Sequence, residues 1–227
     1  LASTAEQAKQ VAAKLHPPFV VKAQVLVGGR GKAGGIQTAD SAQAAEVVAG
    51  KLLGMYIHGL PVRRVLVEEK VAIKRELYLA ITVDRLKRCY VVLSSVSGGI
   101  DIEATAEERS TAINRTLINP NMGLCHYHAI AIAKQLGYSG NQLLALANII
   151  LKLYIIIMEN DAELSEINPL AETVTGDFIA LDARLTLDDN ALFRHTKRFK
   201  TEALQLTPQE TVASEHGLAY VKLDGNI

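Results

Sequence analysis

The segment Phe19-Val20-Val21-Lys22-Ala23-Gln24-Val25-Leu26-Val27 runs directly into Gly28-Gly29-Arg30-Gly31-Lys32-Ala33-Gly34-Gly35. Residues 19–27 are apolar except for Lys22 and Gln24, the pattern of a buried strand that carries one charge. Glycines let backbone N–H groups come close to a phosphate, and Arg30 and Lys32 add positive charge beside them. Gly29, Gly31 and Gly34 match G-x-G-x-x-G, but a dinucleotide-binding turn should run straight into a helix. Here Gly35-Ile36-Gln37-Thr38 intervenes, and an alanine-rich helix opens at Asp40 and ends near Gly54. Gly31-Lys32 is followed by Ala33 in place of Ser or Thr, so the loop is not of the Walker A type. An ordinary hairpin loop is the alternative reading. Lys22 favours an anion, because a buried lysine without one is costly. An edge-strand lysine with its head in water is the other possibility.

The flanking pattern is interspersed. A helix is expected over 3–16, with Ser3 and Glu6 at capping-box spacing and Pro17-Pro18 as its stop. Strands are expected over 64–69, 76–83 and 90–95, the last two joined by a charged turn over 84–88. Helices follow over 127–136 and 141–160, the second with Ser139 and Gln142 at capping spacing. That second helix is apolar on nearly every face, which predicts burial in a core. Strands over 163–168, 170–173 and 178–182 close the set, with a last one at 219–223. This order predicts an α/β or α+β fold with mixed or antiparallel sheets.

Composition narrows the partners. The 227 residues are 49% hydrophobic and 21% charged, enough for a sizeable core in one large domain or two lobes. Lys+Arg and Asp+Glu both number 24, so there is no basic excess to suit nucleic acid or an anionic membrane surface. Cys89 and Cys125 read as reduced, in an intracellular protein. No apolar secretory core follows Leu1, and Asn148 and Lys152 interrupt the most apolar run, which reads as a buried helix.

The acidic end supplies a second site. Glu166 and Asn168 share a face of one strand, being two residues apart. If Val174-Thr175-Gly176 is a three-residue hairpin loop with glycine in the left-handed position, Thr173 pairs with Asp177. Counting outward then sets Asn168 opposite Asp182. A two-residue loop would instead put Pro169 there, and a bulge at Pro169 would also disturb the register. A carboxylate facing an amide oxygen makes a hard-oxygen site suited to Mg²⁺. The alternative is a simple Asn-Pro turn beside a solvated strand end.

Taken together and in this order, these pieces resemble the β subunit of succinate–CoA ligases. The carrying motifs are Val20-Val21-Lys22-Ala23-Gln24-Val25 with Gly28 to Gly35, Leu66-Val67-Glu68-Glu69, and Arg75-Glu76-Leu77-Tyr78-Leu79. Gly98-Gly99-Ile100-Asp101-Ile102-Glu103, Glu166 to Leu170, Leu181-Asp182, Asp189 to Arg194 and Tyr220 to Ile227 follow. The resemblance implies an ATP-grasp fold, with lobes over about 1–65 and 66–200 and a tail over 201–227 leading towards a CoA-ligase domain. It implies that carboxylate, CoA and ATP or GTP give an acyl-CoA, nucleoside diphosphate and phosphate. In that reaction the phosphoryl group passes through a histidine of a partner α subunit. By position, Lys22, Gly29, Arg30 and Gly31 hold the phosphates, Glu68 lines the base and hinge, and Glu76 takes the ribose. Asn168 and Asp182 bind Mg²⁺, and Glu166 faces the phosphohistidine. Two positions depart from the family: Ser97, often Glu, and Arg184, commonly Lys. A cytoplasmic protein is implied, or one of the mitochondrial matrix in a eukaryote.

A malate– or citrate–CoA ligase would carry the same motifs, and a non-catalytic ATP-grasp module would have lost the metal pair. His126 and His128 stand before a helix without a carboxylate partner and read as helix-start residues.

Overall fold

The computed structural model describes residues 1–99 and 113–195, together with 209, 212, 213, 216, 218 and 220. The chain divides into two units, Leu1–Leu192 and Phe193–Ile227. In the second, the Arg194 guanidinium lies 5.5 Å from the centre of the Phe193 ring. The expected strand over 219–223 and the motif from Tyr220 to Ile227 lie outside the described residues, Tyr220 excepted, as does Ile100 to Glu103.

The first lobe opens with α1 (Ala5–Ala12). Thr4 caps it by accepting from the Gln7 N–H at 3.2 Å. Ser3, the expected cap, instead gives its own N–H to Gln7 Oε1 at 2.9 Å, so the cap moves on by one residue. Strands β1 (Phe19–Gln24), β2 (Ile36–Ala39) and β5 (Arg64–Glu69) form an antiparallel sheet in the order β2-β1-β5. The lobe therefore carries β5 to its end at Glu69. A small ribbon of β3 (Tyr56–Ile57) and β4 (Leu60–Pro61) lies between. Helix α2 (Ala42–Leu53) begins two residues after Asp40, because Ser41 is the cap and accepts from the Ala44 N–H at 3.1 Å. Ala8, Ala12, Ala45, Ala49 and Leu52 of the helices pack on Phe19, Val21, Ala23, Val65 and Val67. Alanine in both helices lets them approach the sheet closely. Lys22 sits in the central strand, which removes the edge-lysine reading.

The second lobe is a larger antiparallel sheet. Strands β6 (Ile73–Asp84), β7 (Cys89–Ser95), β8 (Asn114–Leu117), β9 (Ala162–Thr173) and β10 (Phe178–Ala180) run in the order β10-β9-β6-β7-β8. Strand β11 (Ala183–Leu187) continues beyond β10 along the same edge of β9. Pro169 does not end a strand, so the two short strands expected on either side of it are one. Helices α3 (His126–Gln135) and α4 (Gly140–Glu159) cover one face. Leu77, Leu79, Ile81, Ile167 and Leu170 meet Ile132, Leu136, Leu146, Ile150 and Ile157 there.

Helix α4 corrects one expectation. Ile150 is fully buried, but Leu144 is 47% exposed and Ile155 50%. One sheet and one neighbouring helix can cover only part of a helix's circumference. Ser139 makes no side-chain cap bond. Gln142 turns instead to Glu172 Oε1 at 3.3 Å and to the Gly176 carbonyl at 3.1 Å. Glu172 also accepts from Lys74 Nζ at 2.7 Å and Tyr138 Oη at 2.7 Å. The bond from Lys74, more than burial opposes it, holds the Glu172 carboxyl below its ordinary range. Burial and the Glu172 bond push the Tyr138 hydroxyl upward. This cluster fastens the β9–β10 hairpin to α4.

Candidate functional site

The hairpin that closes the second lobe has the three-residue loop expected from the sequence. Gly176 has φ 90°, its N–H bonds the Thr173 carbonyl at 3.0 Å, and the Thr173 N–H bonds the Asp177 carbonyl at 2.9 Å. A left-handed position of this kind suits glycine. Pairing outward runs Phe178 with Glu172 and Ala180 with Leu170, then Ala183 with Ile167 and Arg184 with Glu166. Asn168 thus stands opposite Asp182, and its N–H donates to the Asp182 carbonyl at 3.1 Å.

A bulge does occur at Pro169, but it faces β6. Leu77 pairs with Leu170 and Leu79 with Ile167, so Asn168 and Pro169 share the space opposite Tyr78. On the other edge the break between β10 and β11 follows the same kink. Register survives there because both partners bend together. The Leu181 N–H bonds the Pro169 carbonyl at 3.1 Å across this bend.

Ile167 and Leu170 point towards the helices, so Glu166 lies on the opposite face with Ala80 and Arg184. The turn after β7 packs beside this face. The Gly99 N–H donates to Asn168 Oδ1 at 2.7 Å. A Cβ on Gly98 would stand 2.3 Å from the Leu77 carbonyl oxygen. A Cβ on Gly99 would stand 2.7 Å from Glu76 Oε2, which places Glu76 beside the same turn. Glycine is the residue that allows this approach.

The first lobe contributes its cations to the same place. Lys22 is 7% exposed; its Nζ donates to the Leu181 carbonyl at 2.7 Å and forms an ion pair with Glu68. Glu68 is diagonal to Lys22, since Val20 pairs with Glu68 and Lys22 with Leu66. Arg30 donates from Nη1 to the Ala23 carbonyl at 3.0 Å and from Nη2 to Asp182 Oδ2 at 2.5 Å. The glycine-rich segment is therefore a hairpin loop between β1 and β2, folded on itself. The Ala33 N–H bonds the Gly29 carbonyl at 3.1 Å, and the Gly35 N–H bonds the Arg30 carbonyl at 2.8 Å. Gly29 has φ 74°. Gly31 lies in the same fold, where the Gly34 N–H reaches its carbonyl at 3.0 Å.

Lys22, Arg30, Asn168 and Asp182 are thus brought together, with Glu68 on the first-lobe side and Glu76 and Glu166 along the second-lobe face. The sequence reading missed two partners. Lys22 satisfies part of its charge with Glu68, and Asp182 with Arg30. Only the Leu66-Val67-Glu68-Glu69 strand hinted at the first, because no tight turn fixes the β1–β5 register for counting.

The donor set fits one small, hard cation. Asp182 keeps a second carboxylate oxygen, and Asn168 Oδ1 a second lone pair. Among the described residues no three His, Cys, Asp or Glu side chains gather at one point. Two protein oxygens with water and phosphate oxygens filling the octahedron is the usual provision for Mg²⁺ beside a nucleotide. His128 Nδ1 accepts the Cys125 N–H at 3.1 Å, which makes it a helix-start residue.

Residues 1–172 match the ATP-grasp domain family. The chain is 45% identical over its whole length to a GDP-forming succinate–CoA ligase β subunit of Thermus thermophilus. It is 42% identical to an ADP-forming β subunit of Pyrobaculum calidifontis. It spans 60% and 61% of those proteins, respectively. Among solved structures, ATP citrate lyase of Methanothrix soehngenii superposes with a TM-score of 0.67 at 20% identity, over 91% of this chain and 48% of that one. A dinucleotide-forming acetyl-coenzyme A synthetase of Ca. Korarchaeum cryptofilum gives 0.65 at 17% identity, over 83% and 84%. At these identities the two structures speak for the fold.

Proposed function

From membership of the ATP-grasp family, to which this chain belongs, we propose that it is the nucleotide-binding part of a succinate–CoA ligase β subunit, ADP- or GDP-forming. The whole reaction joins succinate and CoA at the expense of ATP or GTP, through a phosphohistidine on a partner α subunit. The observation that carries this reading is the convergence of Lys22 and Arg30 on the Leu181-Asp182 rung of the hairpin. Two cations from one lobe and two oxygen donors from the other are the groups that a polyphosphate and its metal ion would engage.

Lys22, Arg30 and the Gly29 and Gly31 backbone hold the phosphates. Lys22 and Arg30 exchange Glu68 and Asp182 for phosphate oxygens as the nucleotide enters. Glu68 lines the base and hinge side, and Glu76 accepts from the ribose hydroxyls. Asn168 and Asp182 hold Mg²⁺, which neutralises phosphate charge when bound. The Gly99 N–H fixes the orientation of the Asn168 carboxamide by donating to its oxygen. Glu166 orients the histidine of the α subunit through its ring N–H.

Calorimetric titration of the chain with Mg-ATP and Mg-GTP tests the reading directly. Saturable binding of at least one, weakened by chelating Mg²⁺, is expected. No binding of either would sink it. Adding the α subunit tests the partner: phosphorylation of its histidine from the bound triphosphate is expected with the complete β subunit.

A further inference from the structure

We propose that Arg184 contacts the terminal phosphate of the bound nucleotide, and that through it the site distinguishes a triphosphate from a diphosphate. This rests on the nucleotide reading above and extends it to a residue with no role so far.

The register orders the site along the strands. Strand β6 begins at Ile73, soon after β5 of the first lobe ends at Glu69, so the base and hinge lie at that end. Moving along β6, Glu76 comes first, paired with Ala171. The bulge follows, where Asn168 and Asp182 stand opposite Tyr78. Beyond it lies the rung Ala80–Glu166–Arg184. At ~3.3 Å per residue, Glu76 to Ala80 covers about 13 Å, the length scale of a ribose with an extended triphosphate. Lys22 and Arg30 meet the Leu181-Asp182 rung, one step nearer the base. Arg184 is therefore placed beyond the metal pair, where the last phosphate must lie.

Its surroundings agree. Arg184 Nη1 stands 4.0 Å from where a Cβ on Gly28 would be, so its guanidinium reaches the start of the glycine-rich loop. It is exposed and, among the described residues, makes no ion pair or side-chain hydrogen bond. Lys22 and Arg30 already hold carboxylates; among the described residues the Arg184 donors are uncommitted. A guanidinium fork suits the oxygens of a terminal phosphate, which carries more charge than a bridging one. Arg184 shares this face with Glu166, its partner directly across the strand pair.

The test is calorimetry on the chain and its Arg184→Gln and Arg184→Lys variants, titrated with AMP-PNP and with ADP in excess Mg²⁺. Arg184→Gln is expected to weaken AMP-PNP about tenfold or more and ADP less than about twofold. Arg184→Lys keeps the charge and is expected to retain most of the preference. Equal losses for both nucleotides, or no loss for either, would overturn the assignment while the nucleotide reading stands. A parent chain that binds neither nucleotide would overturn both.

Discussion

Arg30 Nη2 and Asp182 Oδ2 meet at 2.5 Å, joining the glycine-rich loop of one lobe to the hairpin of the other. The carboxylate proposed to hold a metal also accepts from a guanidinium. Under the proposed function the two cations would compete for one side chain, and the nucleotide would decide the outcome by offering Arg30 a phosphate instead.

Asp182→Asn tests this competition. The substitution removes the anionic metal ligand and frees Arg30. Affinity for Mg-nucleotide should fall about ten- to a hundredfold, the worth of roughly 1.5–3 kcal/mol for a charge-assisted contact. Affinity for the metal-free nucleotide, measured in EDTA, should hold or rise. A matching fall in EDTA would mean that Asp182 acts only by positioning the loop.

Lys22→Met keeps the buried stem and removes the charge. Nucleotide affinity should fall by a similar factor, while the melting temperature moves little, since Glu68 is 30% exposed at its side chain and can turn to water. Calorimetry reads the first quantity and a thermal melt the second. Unchanged affinity would leave Lys22 as a purely structural lysine.

The two faces of α4 should respond oppositely. Ile150→Ala opens a cavity in a fully buried site and should cost about 2–5 kcal/mol. Leu144→Asp sits on the exposed side and should change stability by no more than about 0.5 kcal/mol. Chemical denaturation of both variants compares them. Equal losses would require the outer face of α4 to be covered.

Glu172 should set part of the acid stability. Its carboxyl titrates below the ordinary value of 4.5, chiefly through its bond from Lys74. A depressed carboxyl contributes stability that is present above its unfolded value and lost as pH falls through the folded one. Glu172→Gln should therefore destabilise the chain near neutrality, by about 1–3 kcal/mol. It should also flatten the acid limb of a stability profile. A variant that kept the parent's full acid dependence would assign that dependence to other carboxylates.

What could be read from the sequence was local. The hairpin register followed from Gly176, because a left-handed glycine in a three-residue loop leaves one pairing, and pairing is periodic along a strand. That placed Asn168 opposite Asp182 without any other knowledge of the fold. The cation-bearing glycine loop, most strands and both long helices were likewise legible, since each depends on neighbours in the chain. Helix caps slipped by a residue where Ser3 and Thr4 both offered a hydroxyl. The bulge at Pro169 could be anticipated, but not the edge it would face. Only the tertiary structure decided which residues meet across the lobes. Lys22 with Glu68 and Leu181, and Arg30 with Asp182, bring together side chains whose separation in sequence no periodicity encodes. It also decided which half of α4 is covered, because an evenly apolar helix carries no stripe to say which side the sheet will take.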